Sequence, residues 1–226
     1  APRILVGRDG RVSAPPIYRA LIEGIAARGG VPIPCGLAST DLIQWGVGER
    51  LDGAHAGTMI TASHNPAQYN GIKSVVYDEE RNVVDPIRPK TDLRPCLEEI
   101  AGEPSASLAG VAPFPQGTGN ELRSDFVAAA CAQASRLSEA TGKIVIDPGN
   151  GAAGIFLTPL KAELERLGAA VEVEAICAEI DGTFPSRPSN PGLPGAVKAL
   201  QESVVRTGAR FGVAFDGDAD RAFMVD

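Results

Sequence analysis

Short apolar runs alternate with helix-periodic segments along nearly the whole chain, which restricts the fold to helices laid against sheets. Residues 3–6 read as a strand and residues 7–11 as the loop after it. Ser13 stands at an N-cap position, Pro15 and Pro16 are tolerated in a first turn, and Ile17, Leu21 and Ile25 recur at helical spacing. Gly29-Gly30 stops that helix, residues 31–33 form a short strand, and Thr40 caps a helix running to about Arg50. An apolar run ending at Ile60 and the β-branched run 72–77 supply two more strands. Residues 102–119, rich in Pro, Gly, Ser and Ala, read as a linker. A helix-forming run spans about 120–140, and a second α/β pattern begins with the strand after it. Its strands fall at 143–147, 170–175 and 211–215, its helices run from Thr158-Pro159 to Leu167 and over 196–206, and a Pro/Gly-rich loop spans 181–195. No internal repeat is obvious, although both halves share the strand-then-helix rhythm.

The 226 residues leave room for two domains, each with its own core. Apolar content of 44% with 22% charged residues belongs to a globular chain rather than a disordered one. A net charge of −7 and a pI near 5.0 argue against nucleic acid or an anionic membrane surface as the main partner. They leave room for an anionic small molecule held by a local cluster. Cys35, Cys96, Cys131 and Cys177 are far apart and read as isolated thiols of a reducing compartment. With no signal-peptide pattern at the start and no apolar run of membrane-spanning length, the expectation is a cytoplasmic protein.

Two stretches carry chemistry. After the strand ending at Ile60, Asn65-Pro66 and Asn70-Gly71 each favour a turn, so Ser63 sits on a strand-end loop held between them. A nucleophilic hydroxyl would be placed there, and shape alone equally describes an ordinary connection with a surface serine. His64 is adjacent to Ser63, and neighbours in an extended segment point apart, so it reads as a poor local base. Further on, Asp216, Asp218 and Asp220 occupy alternate positions directly after the apolar strand 211–215, where extended geometry lets all three converge. Two unpaired carboxylates about 4 Å apart repel by roughly 4 kcal/mol at an effective dielectric of about 20, so the cluster asks for a cation. Oxygen-only ligands suit Mg²⁺. A solvated acidic turn remains the other reading. Residues 149–154 fit Gly-x-Gly-x-x-Gly, with Glu172 and Glu174 at about the distance of a ribose contact, but Asp147-Pro148 interrupts the passage from strand to glycine.

Thr61-Ala62-Ser63-His64-Asn65-Pro66, followed by Tyr69-Asn70-Gly71-x-Lys73, resembles the phosphoserine loop of the α-D-phosphohexomutases, the phosphomannomutase and phosphoglucomutase family. Asp216-Gly217-Asp218-Ala219-Asp220-Arg221 resembles the metal loop of the same family, an independent match. The resemblance implies an α/β fold of two α/β/α domains, each a mixed β-sheet sandwiched between helices. Their expected bounds are 1–118 for the phosphoserine-loop domain and 119–226 for the metal-loop domain, left open at its C-terminal end. It implies interconversion of hexose 1-phosphate and hexose 6-phosphate, of mannose and/or glucose, through a phosphoserine and a hexose 1,6-bisphosphate. A Mg²⁺-dependent sugar phosphatase and a non-catalytic binding fragment are the alternatives. Matched residue by residue, Ser63, Lys73 and Arg221 are the catalytic residues, and Ser63, Asp216, Asp218 and Asp220 hold Mg²⁺. The partners implied are a hexose phosphate substrate and the bisphosphate activator, with no nucleic acid and no membrane. Asp147-x-Gly149-Asn150-Gly151 is familiar there as a feature of the second-domain fold, which sets the dinucleotide reading aside. Asp181-Gly182-Thr183-Phe184-Pro185 with Asn190-Pro191 is a weaker match, because Arg187 stands where a histidine is commoner and Ser189 replaces a usual proline. Gly7-Arg8-Asp9-Gly10-Arg11 resembles the first-domain loop, read either as a ligand contact or as a tight turn with solvated arginines. The resemblance places the chain as the catalytic front half of a longer enzyme.

Overall fold

The computed structural model describes residues 1–100 and 120–226, so the expected linker over 102–119 and the 118/119 boundary lie outside the described residues. Two three-layer units follow one another. The first has strands β1 (Arg3–Arg8), β2 (Val31–Leu37), β3 (Ala56–Ile60), β4 (Ile72–Asp78) and β5 (Val83–Pro86), with helices α1 (Ala14–Ala27), α2 (Thr40–Gly48) and α3 (Arg94–Ile100). Its sheet runs β2-β1-β3-β4-β5, with β1 parallel to β2 and β3 and the last two pairings antiparallel. Helix α4 (Asn120–Ala132) leads into the second unit, which has strands β6 (Thr141–Asp147), β7 (Ala170–Ala175), β8 (Phe211–Phe215) and β9 (Ala222–Val225) and helices α5 (Leu157–Arg166) and α6 (Lys198–Thr207). Its sheet runs β7-β6-β8-β9, with β6 parallel to both neighbours and β9 antiparallel to β8. Both sheets are mixed.

Alternation along each central strand builds the layers. On β1, Val6 faces α1 beside Tyr18 and Ile22, while Leu5 faces α2 beside Leu42 and Ile43. On β6, Val145 joins Leu200 and Val204 of α6, and Ile146 joins Leu164 of α5. The α1 stripe differs from expectation by one register. Ala14, Tyr18 and Ile22 are buried, and Ile17, Leu21 and Ile25 pack at the margin. Burial of Tyr18 is tolerated because its hydroxyl accepts from Gly36 N at 3.0 Å. Ser13 occupies the cap position without a capping bond, its Oγ accepting instead from Asn70 Nδ2 at 2.9 Å. Helix α2 is capped by Ser39, whose Oγ accepts from Leu42 N at 3.1 Å, and not by Thr40. The helix expected over 120–140 ends at Ala132 and is followed by a short 3₁₀ turn, Leu137–Glu139.

Among the described residues the units touch both behind and in front of the sheets. Behind the sheets, Phe126 of α4 packs edge-on to Trp45 at 5.6 Å and tilted to Phe156 at 5.3 Å, joining α2 to the second unit. In front, backbone meets backbone. A Cβ on Gly182 would overlap the Gly10 carbonyl oxygen and lie 2.5 Å from Arg11 Cα. Gly182→Ala should therefore lower stability by about 1–3 kcal/mol through overpacking, read by urea denaturation. An unchanged midpoint would show that this contact is looser than the geometry requires.

Candidate active site

The serine loop is built around a buried arginine. Arg11, fully buried, spends all five guanidinium N–H donors within the first unit. Nε donates to Asp9 Oδ2 at 3.0 Å, Nη1 to the carbonyls of Pro66 (2.7 Å) and Tyr69 (3.1 Å), and Nη2 to those of Ser63 (2.6 Å) and Asn65 (2.9 Å). This corrects the reading of residues 7–11 as a turn with solvated arginines, since four carbonyls of one loop converge on the Arg11 charge. Asp9 ties the loop's start, its Oδ2 also accepting from Thr61 Oγ1 at 2.8 Å. Burial raises the Asp9 carboxyl above its ordinary range, with the hydrogen bonds of Arg11 and Thr61 opposing. Thr61 Oγ1 in turn accepts from Ser63 N at 2.8 Å.

Held at both its N–H and its carbonyl, Ser63 adopts φ 53°, a left-handed conformation costing about 1–3 kcal/mol for a residue with a side chain. The loop is thus not extended there, which overturns the expectation that Ser63 and His64 point apart. Their side chains come together, with Ser63 Oγ 3.3 Å from His64 Nδ1. Arg221 Nη1, which can only donate, lies 2.8 Å from the same nitrogen. The Nδ1 lone pair is therefore engaged, and His64 is still no base for Ser63.

The aspartate loop closes on this serine from the second unit. Asp216 and Asp218 are fully buried, and one oxygen from each of Asp216, Asp218 and Asp220 lies within 4.8 Å of the others. Ser63 Oγ donates to Asp216 Oδ2 at 3.0 Å. Burial, followed by the charges of Asp218 and Asp220, pushes the Asp216 carboxyl up to about 7, against hydrogen bonds from Ser63 and Arg221 N. Lys73, on β4 beside the loop, reaches Asp218 Oδ2 at 2.8 Å and Asp220 Oδ2 at 2.6 Å. Burial alone would lower the Lys73 pKa, but these two carboxylates outweigh it and the net shift is upward. Asp218 Oδ1 and Asp220 Oδ1 are buried without a hydrogen-bond partner. Such orphaned carboxylate oxygens are costly, and a divalent cation fits them. The structure thus brings Ser63, Lys73, Arg221 and the three aspartates together.

Several contacts were not legible in the sequence, although some of the residues that make them lie in loops already singled out there. Thr40 Oγ1 donates to Asp218 Oδ2 at 2.6 Å across the two units. Phe184 lies over the Arg11 guanidinium at 5.2 Å, and Ser189 Oγ donates to Asn65 O at 2.8 Å, so the 181–191 loop covers the serine loop. Arg187 is buried and pairs with Asp147 Oδ2 at 2.7 Å, while its Nη2 donates to Phe215 O at 2.7 Å, just before Asp216. The glycine loop after β6 serves the same end. Gly149 N, Asn150 N, Gly151 N and Ala152 N donate to Asp147 Oδ1, Cys177 O, Pro148 O and Gly217 O, so these amides are spent on protein rather than offered to a pyrophosphate. Glu172 and Glu174 pair with Lys143 and Arg206.

Removal of the central charge should be felt first in folding. Arg11→Met should cost about 3–5 kcal/mol, because Asp9 and four carbonyls are left buried and unpaired. Arg11→Lys, which keeps the charge and loses the five-donor fork, should fall between the two in denaturant titration.

Comparison with known proteins matches the same two halves. Residues 1–81 match the family model described as phosphoglucomutase/phosphomannomutase alpha/beta/alpha domain I, and residues 124–226 match domain II. A phosphomannomutase of Salmonella montevideo is 34% identical over 225 residues, covering 99% of this chain and 47% of its own length. A phosphomannomutase/phosphoglucomutase of Pseudomonas aeruginosa is 33% identical over 228 residues, covering 99% of this chain and 44% of its own. A crystal structure of a phosphoglucomutase/phosphomannomutase family protein from Burkholderia thailandensis superposes with a TM-score of 0.70 at 25% identity, over 100% of this chain and 46% of that one. The chain spans about half the length of the curated relatives it matches.

Proposed function

The chain belongs to the phosphoglucomutase/phosphomannomutase family, of which it carries alpha/beta/alpha domains I and II, and from that premise we propose that it is the serine- and metal-bearing part of a phosphohexomutase. The proposed enzyme interconverts hexose 1-phosphate and hexose 6-phosphate, with mannose, glucose or both as the sugar. A hexose 1,6-bisphosphate serves as intermediate and activator. The observation that carries this reading is the 3.0 Å hydrogen bond from Ser63 Oγ to Asp216 Oδ2, which joins two motifs 153 residues apart. A net charge of −7 argues against nucleic acid or an anionic membrane surface as the main partner. Among the described residues no helix is long and apolar enough to cross a membrane.

In the proposed reaction Ser63 carries a phosphoryl group on Oγ. The Oγ–P bond breaks as an O–P bond forms at a free sugar hydroxyl, whose proton passes to the departing Ser63 Oγ. The other sugar O–P bond of the bisphosphate then breaks as Oγ–P forms again, and the proton goes back to the freed sugar oxygen. Asp216, Asp218, Asp220 and an oxygen on Ser63 would hold Mg²⁺, which would supply positive charge to offset charge developing on the transferring group. The left-handed backbone at Ser63, fixed by Thr61 and Arg11, presents Oγ to the aspartates of the other unit. Lys73 is held as an ammonium by Asp218 and Asp220, which favours an electrostatic role over that of a base. Arg221, half-exposed and braced by His64, is free on its outer side to meet a ligand phosphate.

Incubation with glucose 1,6-bisphosphate should place phosphate on the peptide containing Ser63, read by mass spectrometry, and Ser63→Ala should abolish it. Phosphate confined to another serine would end the phosphoserine reading. In a coupled assay for glucose 6-phosphate the mutase conserves ester phosphate. Stoichiometric release of inorganic phosphate would instead mark a Mg²⁺-dependent sugar phosphatase.

A further inference from the structure

The three aspartates come from one unit, but the best-held of them is gripped by the other. Asp218 Oδ2 accepts from Thr40 Oγ1 at 2.6 Å and from Lys73 Nζ at 2.8 Å, and Asp218 O accepts from Thr40 N at 3.1 Å. All of these donors belong to the serine-loop unit. Asp218 is fully buried, and its Oδ1 has no hydrogen-bond partner. The carboxylate is thus saturated on one oxygen and bare on the other. Thr40 is available for this because Ser39 takes the capping role at α2, leaving the Thr40 hydroxyl free to turn outward.

We propose that Thr40 is a positioning residue for the divalent cation: it holds Asp218 by Oδ2 and by its main-chain carbonyl, so that Oδ1 is the atom presented to the ion. Thr40 does not touch the ion. The inference rests on the magnesium reading above and adds to it that the cation affinity of the aspartate loop depends on the opposite domain. By linkage, ion binding then strengthens the docking of the two domains by the same factor that docking strengthens ion binding. Lys73 grips the same oxygen, but its charge acts on any nearby ion whatever its orientation. Thr40 is neutral, so its removal isolates positioning.

Calorimetric titration of Mg²⁺ or Mn²⁺ into the metal-free chain tests this without reference to activity. Groups that orient metal ligands typically govern affinity by about 10–100-fold, so Thr40→Val should weaken binding by at least about tenfold and Thr40→Ser should restore it to within about twofold. Thr40→Ala, which brings no methyl group against Asp218, should match the valine variant and replaces it if that variant does not fold. A merely structural role would lower the melting temperature of the metal-free variants and leave the affinity of the folded protein intact, which overturns the proposal. Asp218→Asn separates the two levels of inference. If it binds the ion as wild type does, or if wild type binds none, the magnesium reading fails and this proposal with it. If it loses binding while Thr40→Val and Thr40→Ala do not, the positioning role alone is wrong.

Discussion

A guanidinium buried beneath a loop is the interaction on which the site depends. Placing a charge away from water is expensive, and Arg11 is tolerated there only because Asp9 neutralises it and its remaining four donors find carbonyls. The requirement works in both directions. Four carbonyls of the 63–69 segment have to turn inward to satisfy the arginine, and that inward turn gives Ser63 its left-handed backbone and aims Oγ out of the loop. The strain at Ser63 is offset by the hydrogen bonds that the arginine and Thr61 supply.

The second domain uses the same device at the equivalent place. Each sheet has a strand, β1 or β6, flanked by two parallel neighbours and carrying a buried aspartate at its C-terminal end, Asp9 just after β1 and Asp147 as the last residue of β6. Each aspartate pairs with a buried arginine, Arg11 or Arg187, which hydrogen-bonds the backbone of the functional segment, Ser63 in one case and Phe215 in the other. Each functional loop then lies between the third strand of the parallel set and the antiparallel strand after it, β3 to β4 and β8 to β9. The two domains are thus related in architecture and in how they brace their loops. Arg187 is the residue that completes this bracing in the second domain.

Much of this was legible because strand and helix periods are local properties. Strands 170–175 and 211–215 fall where the pattern puts them, and the serine and aspartate loops were readable from their residue strings. Strands β5 and β9 were missed, since each is a short edge strand whose pairing depends on a neighbour already in place. The roles of Arg11, Thr40, Arg187 and Ser189 were not legible for a different reason. Each is a long-range contact, and nothing in a solvent-compatible Arg, Thr or Ser announces burial against a segment tens of residues away. Side chains of neighbouring residues point apart only on extended backbone, which the loop at Ser63 and His64 does not have. A left-handed serine brings adjacent side chains together, and only the Arg11 contact network reveals that conformation.

The two half-sites are each electrostatically incomplete, and this explains why their surfaces meet backbone to backbone. Three carboxylates gathered on one loop repel, and burial of Asp216 and Asp218 makes the repulsion worse, as the raised Asp216 carboxyl records. Within the second domain the Arg221 backbone N–H and side chain answer part of that charge. The first domain brings Lys73 to Asp218 and Asp220, the Thr40 hydroxyl to Asp218, and the Ser63 hydroxyl to Asp216. These donors are short or anchored, so they reach the aspartates only if the loops touch, and Gly10, Gly182 and Gly217 make that approach sterically possible. Asp218 Oδ1 and Asp220 Oδ1 still have no hydrogen-bond partner after docking, the latter only facing Arg221 Nε at 3.8 Å, which leaves to a cation the part of the charge that the protein itself does not balance.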